Sequence, residues 1–154
     1  MTAPVMDGAG LLDPARHGPA LIAHKAGNTA MRALAAIEDV ADYVEVDLWL
    51  NRGRFEARHE RRLFSLLPFL YEGLRISLAP RRPFGLAELL EQTEGRVDIF
   101  LDLKNGGPTA AKLVRRALGE ARYRHRLVAS SQLWPVLRAL REAAPEVALF
   151  YSMG

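Results

Sequence analysis

The sequence predicts a parallel α/β fold. Short apolar runs alternate with segments of helical spacing along the chain. With 154 residues, 49% of them hydrophobic, the chain can bury the core of one domain, and it shows no internal repeat or low-complexity tract.

Residues 1–19 are Gly/Pro-rich and aperiodic, and read as a loose N-terminal arm before a domain spanning 20–154. Ala20–Ala23 is a short buried-strand signal. Asn28–Ala41 places Met31, Leu34, Ile37 and Ala41 near helical spacing, with Asn28 or Thr29 as N-cap. Tyr43–Leu50 alternates acidic and apolar residues with period two, and reads as a strand. After the Asn51-Arg52-Gly53 turn, Arg54–His59 is extended. The apolar stretch Leu63–Leu78 reads as an inserted helix packed on the body, or as a hydrophobic cap over a site; Pro68, Glu72 and Arg75 exclude a membrane span.

Residues 86–92 form a short helix, Val97–Leu103 a strand, and Asn105-Gly106-Gly107-Pro108 a break. Thr109–Ala121 is an amphipathic helix with Leu113, Val114, Ala117 and Leu118 on one stripe. Arg126–Ala129 is strand-like, and Ser130 or Ser131 is positioned to cap a helix running to about Ala143. Pro135 falls in the first turn of that helix, where its missing N–H is harmless. Val147–Tyr151 is a fifth apolar strand.

Composition removes several function classes. There is no cysteine, hence no disulfide scaffold, zinc–thiolate site or thiol nucleophile. A net charge of +3 is too balanced to mark a polyanion binder. The arginines at 52, 54, 58, 61 and 62 read as a solvated rim, because no stacking-aromatic pattern or nucleic-acid motif accompanies them. No apolar run reaches the roughly 18–20 residues of a membrane span. The first basic residue is Arg16, so no charged signal-peptide region is expected, and a cytoplasmic address follows.

In parallel α/β folds the site lies at the C-terminal ends of the strands. Those ends carry His24, Glu45 with Asp47, His59, and Asp102 with Lys104. Residues two apart on a strand share a face, so Glu45 pairs with Asp47 and Asp102 with Lys104. Each piece alone has an ordinary role: a solvated acidic pair, a hydrogen-bonded histidine, a surface ion pair. Together, inward carboxylates on buried strands need neutralising. Three carboxylates and no sulfur suit Mg²⁺ or Ca²⁺. A metal-dependent hydrolase is the reading from the residues alone, with Glu45, Asp47 and Asp102 as ligands.

The order His24-Lys25-Ala26-Gly27-Asn28-Thr29, Glu45-Val46-Asp47, His59-Glu60 and Asp102-Leu103-Lys104 resembles the glycerophosphodiester phosphodiesterase family over most of residues 20–154. That family carries His-Arg-Gly, an Asn-Thr helix start, Glu-x-Asp, a His-Asp-like pair and Glu-x-Lys in this order. Lys25 replaces the family's arginine, keeping the charge and losing the planar fork. Asp102 replaces a glutamate, one methylene shorter, and the loop before Asn28 is compact. The last two features are also similar to the phospholipase-D-like toxins such as sphingomyelinase D, but that branch is secreted and disulfide-bonded.

The resemblance implies a (β/α)₈ barrel that hydrolyses glycerophosphodiesters to glycerol 3-phosphate and an alcohol, through attack of a substrate hydroxyl and a cyclic phosphate. It implies His24 and His59 as general acid and base, and Lys25 and Lys104 as phosphate-binding residues. Only five main strands are counted where a closed barrel needs eight. A partial barrel that is the N-terminal part of a longer one is therefore expected, with weak or no turnover from this span alone. The alternative is a non-catalytic domain that keeps the site residues without completing the pocket.

Overall fold

A computed structural model describes residues 20–63, 67–120 and 126–153. In chain order these form β1 (Ile22–Ala23), α1 (Ala30–Glu38), β2 (Tyr43–Asn51), β3 (Arg54–Ala57), β4 (Arg61–Arg62), β5 (Phe69–Glu72), β6 (Arg75–Leu78), α2 (Leu86–Thr93), β7 (Asp98–Leu103), α3 (Gly107–Glu120), β8 (Leu127–Ser131), α4 (Trp134–Ala143) and β9 (Ala148–Tyr151). A single 3₁₀ turn, Ala26–Asn28, separates β1 from α1. The expected arm and Ala121, the last residue of one expected helix, lie outside the described residues.

Strands β1, β2, β7, β8 and β9 lie side by side in that order, all parallel. This is the arc of a (β/α)₈-type barrel, five strands long among the described residues. Strand β3 folds back antiparallel on the C-terminal half of β2. The turn between them gives both Arg52 and Gly53 a positive φ, as a two-residue hairpin requires.

The helices cover one face of the arc. Val44, Val46 and Leu48 of β2 and Ile99, Leu101 and Leu103 of β7 are fully buried in one cluster with Ala33, Leu89, Val114 and Leu140 from the four helices. Each such aliphatic side chain contributes about 1.5–3 kcal/mol. Because strand side chains alternate, the opposite face of these strands carries Glu45, Asp47, Phe100 and Asp102. No described helix is long and apolar enough to cross a membrane.

Four local expectations are corrected. Met31 is 79% exposed, and α1 instead packs through Ala33 and Ala36, because the short helix turns a small-residue face to the sheet. Its N-cap is Thr29, whose Oγ1 accepts from Arg32 N. Ser130 and Ser131 do not cap α4; the N-cap position is Leu133, and both serines belong to β8. The parallel ladder to β7 takes them: Ser131 Oγ donates to Leu103 O at 2.6 Å and accepts from Leu133 N. The 63–78 segment holds no helix among its described residues. Strands β4, β5 and β6 form a separate antiparallel sheet, closed by a Gly73-Leu74 turn with Gly73 at φ +57°. Finally, Arg58 is buried rather than part of a solvated rim. It donates through Nε to Glu56 at 3.0 Å, and Arg62 adds a second pair to the same carboxylate. These bonds, with Asn51, lower the Glu56 pKa against the burial that would raise it.

Gly27 holds the 3₁₀ turn against β2: a Cβ there meets Val46 Cβ at 2.7 Å and Glu45 O at 3.0 Å. Gly27→Ala is therefore expected to cost about 1–3 kcal/mol through overpacking, read from denaturant melts. An unchanged midpoint would show that the turn can move off the strand.

Candidate active site

The site assembles toward the end of the parallel pairing between β2 and β7. Their register sets Asp47 opposite Asp102, and the β7–β8 register sets Asp102 opposite Ser130. Glu45 shares the face of Asp47 one pleat back. Glu45, Asp47 and Asp102 each offer an oxygen within 4.8 Å of the others', with Glu45 and Asp47 buried and Asp102 partly so. The three expected ligands are thus brought together.

Four groups restrain these acids. Asn28, at the end of the 3₁₀ turn, clamps Asp47: its Nδ2 donates to Asp47 Oδ2 at 2.8 Å, and its Oδ1 accepts from Asp47 N at 2.9 Å. Lys104 Nζ lies 2.6 Å from Asp47 Oδ1 and also pairs with Asp102. Ser130 Oγ donates to Asp102 Oδ1 at 3.2 Å. Lys25 takes a left-handed conformation, φ +57°, which turns its backbone N–H onto Glu45 Oε2. Such a conformation is unusual for a residue with a side chain and persists only where neighbouring bonds hold it.

Electrostatics follow from this crowding. Burial raises the Glu45 pKa; Asp47 and Asp102 raise it further, while the Lys25 N–H and His24 work the other way. Burial alone would lower the Lys104 pKa, but its bonds to Asp102 and Asp47 outweigh that and raise it. Lys104 is therefore an ammonium counter-ion inside the carboxylate cluster. The donor set is compatible with a hard divalent cation. All three side chains present oxygen, and each carboxylate has more lone pairs than its present partners occupy.

The histidines stand apart from one another. His24 is exposed, its Nε2 3.9 Å from Glu45 Oε2. His59 Nδ1 lies 2.6 Å from Glu72 Oε1, on the inserted sheet. A cavity of about 500 Å³ is lined by His59, Glu72, Trp49, Tyr71, Asp102 and Lys104. A second, of about 340 Å³, is lined by His24, Glu45, Asp102, Ser130 and Phe150. Asp102 borders both. The Lys25 side chain lines a different cavity, beside His59, Asn28 and Arg32.

Sequence reasoning missed four contributors. Asn28 was legible as a cap only, since its partner is 19 residues away. Ser130 needed the β7–β8 register. Glu72 lies on an insertion with no motif. Trp49, two residues beyond Asp47 and on the same face, was within reach of the alternation rule. Guanidinium groups of Arg58 and Arg61 lie 5.3 and 5.8 Å from its ring.

Glu45 gives a pH prediction. Its folded pKa is raised, so between the ordinary value of 4.5 and the raised one the folded state holds more protons than the unfolded state. Stability contributed by this group therefore falls as pH rises through that window. In chelator, Glu45→Gln is expected to melt level with or above wild type at neutral pH, because Gln keeps an acceptor for Lys25 N–H. Added Mg²⁺ or Ca²⁺ is expected to raise the wild-type melting temperature at neutral pH and to do so less at pH values below the window. Destabilisation of the variant at neutral pH in chelator would make Glu45 structural.

No protein-family profile and no curated protein sequence matches the chain. Solved structures do. A phosphodiesterase from Oleispira antarctica, in complex with the product sn-glycerol-3-phosphate, is 19% identical with a TM-score of 0.70, over 88% of this chain and 66% of that one. A glycerophosphodiester phosphodiesterase from Parabacteroides distasonis is 17% identical, with a TM-score of 0.66 over 84% and 63% of the two chains. One from Agrobacterium tumefaciens is 18% identical, with a TM-score of 0.60 over 84% and 65%. The chain therefore has the fold of these phosphodiesterases, and spans 63–66% of their length.

Proposed function

We propose that the chain carries the metal-binding and catalytic half of a glycerophosphodiester phosphodiesterase. The observation that carries this reading is the convergence of Glu45, Asp47 and Asp102 on the uncovered face of adjacent parallel strands, near the end of their pairing. Around them stand Lys104 and two histidines, on the fold of enzymes named for this reaction.

Glu45, Asp47 and Asp102 would hold Mg²⁺ or Ca²⁺. When bound, a divalent cation supplies positive charge that polarises a phosphoryl oxygen and acidifies a nearby hydroxyl. The chain's own side chains do the rest. One histidine takes the proton of the attacking substrate hydroxyl as its oxygen bonds to phosphorus. The other gives a proton to the departing alkoxide, which leaves a cyclic glycerol phosphate. Water then opens that ring to glycerol 3-phosphate, with the two proton roles reversed. Glu72, 2.6 Å from Nδ1, pairs with the His59 ring on the side of that nitrogen and would hold its orientation. Lys104 stabilises charge on a non-bridging oxygen, and Lys25, directly before the 3₁₀ turn, approaches the phosphate from the His59 side.

The test is hydrolysis of glycerophosphocholine by the 154-residue chain, followed by phosphorus NMR. Glycerol 3-phosphate release that stops with chelator and returns with Mg²⁺ or Ca²⁺ is expected, and slow release suffices. Hydrolysis that persists in chelator, or a phosphorus product other than glycerol 3-phosphate and its cyclic form, would overturn the reading. So would absence of hydrolysis together with absence of any rise in melting temperature on adding Mg²⁺ or Ca²⁺.

A further inference from the structure

The sheet of β4, β5 and β6 has two unlike faces. Cross-strand partners share a face, so Phe69 with Leu78 and Tyr71 with Ile76 form one face, and Leu70 with Ser77 the other. The second face turns to the body: Leu70 is buried. The first is apolar and open to solvent. Ile76 and Leu78 are each 68% exposed, Phe69 is exposed, and Leu74 at the turn is fully exposed. Large apolar side chains gathered on a protruding hairpin mark an interaction surface rather than ordinary surface scatter.

Charge identifies what that surface meets. From residue 61 to 82 the chain holds five arginines and one acidic residue, Glu72, which is engaged with His59. Arg75 flanks the turn, and Arg81 and Arg82 follow β6, all three exposed. Two copies meeting through this face would oppose like charges. The face is also continuous with the site: Tyr71 belongs to it, and Tyr71, Glu72 and Gly73 line the cavity that holds Asp102 and Lys104.

We propose that the 61–82 insertion docks the protein on an anionic phospholipid bilayer. Leu74 and Ile76 enter the interface and Arg75, Arg81 and Arg82 meet headgroup phosphates. The docking is peripheral and uses no spanning segment. On the phosphodiesterase reading, on which this further step rests, it sets the carboxylate site over glycerophosphodiesters that still carry an acyl chain.

The test is flotation of the full 154-residue chain with phosphatidylcholine vesicles, alone or mixed equally with phosphatidylglycerol. Binding is expected to the mixed vesicles and to weaken with salt. Leu74→Ser with Ile76→Ser is expected to lose at least about tenfold in vesicle partition, with turnover of soluble glycerophosphocholine unchanged. Arg81→Glu with Arg82→Glu is expected to lose the preference for phosphatidylglycerol. These side chains are exposed, so melting temperatures should match wild type. Absence of wild-type binding, equal binding to neutral vesicles, or full binding by the serine variant would overturn the docking. So would a vesicle-free dimer, seen by light scattering, that the serine variant dissolves. Intact vesicle binding with neither hydrolysis nor a metal-induced rise in melting temperature would leave the docking standing and defeat the phosphodiesterase reading instead.

Discussion

Asp47→Ala is expected to abolish chelator-sensitive hydrolysis and to lower the stability of the metal-free protein as well. Asp47 is 1% exposed and has two tasks. It supplies the central oxygen donors of the cluster, and it accepts from the Asn28 amide and the Lys104 ammonium. Removing it leaves the Asn28 Nδ2 without its acceptor, which costs about 1–3 kcal/mol. Lys104 keeps Asp102, so that charge is not stranded. Asp47→Asn separates the two tasks. It preserves volume and an acceptor while removing the charge, so the fold should hold while stabilisation by Mg²⁺ or Ca²⁺ disappears. This differs from Glu45→Gln, where relief of a raised pKa leaves the metal-free protein level or more stable. Hydrolysis by either Asp47 variant at the wild-type rate would remove the carboxylate cluster from the chemistry. Metal titration followed by thermal melting checks the binding step independently of turnover.

The second large effect is expected at the histidines. His59→Ala and His24→Ala should each reduce turnover at least about 10²-fold, the usual contribution of a positioned general acid or base. Neither belongs to the carboxylate cluster, so the metal-induced rise in melting temperature should remain. Glu72→Gln should cost less than His59→Ala, because Gln keeps an acceptor within reach of Nδ1 while losing the charge. Full turnover in one histidine variant would exclude that residue from proton transfer. Loss of the metal-induced stabilisation in His24→Ala would instead recast His24 as a ligand, since its Nε2 stands 3.9 Å from Glu45.

Much of the architecture was legible in the chain because a parallel strand buried by helices must be apolar on its covered face. Val44-Val46-Leu48 and Ile99-Leu101-Leu103 state that face directly. The helix stripe through Val114 and the Pro135 first turn are local signals of the same kind. The site was legible for a related reason. Charged residues at alternate positions of such strands have nowhere to point except the other face, so Glu45 with Asp47, and Asp102 with Lys104, were legible from spacing. The close approach of the three acids followed from the strand pairing. The insertion was misread because a run as apolar as 63–78 shows little periodicity, and the Gly73 turn that makes it a hairpin is a single residue's φ.

What the sequence determined alone, then, is which residues line each face and which of them carry charge. Tertiary structure decided how they meet. The β2–β7 register, not any local pattern, sets Asp47 across from Asp102, and a slip of one residue would send one of them to the helices. The same packing takes Asn28 away from capping and Ser130 into the ladder, to hold the two aspartates. It also lays Lys104 between them. Apart from the Lys104–Asp102 pair, these contacts join residues from 19 to 57 positions apart. Short-range preferences cannot encode them, because only a folded sheet brings such partners within a hydrogen bond's length.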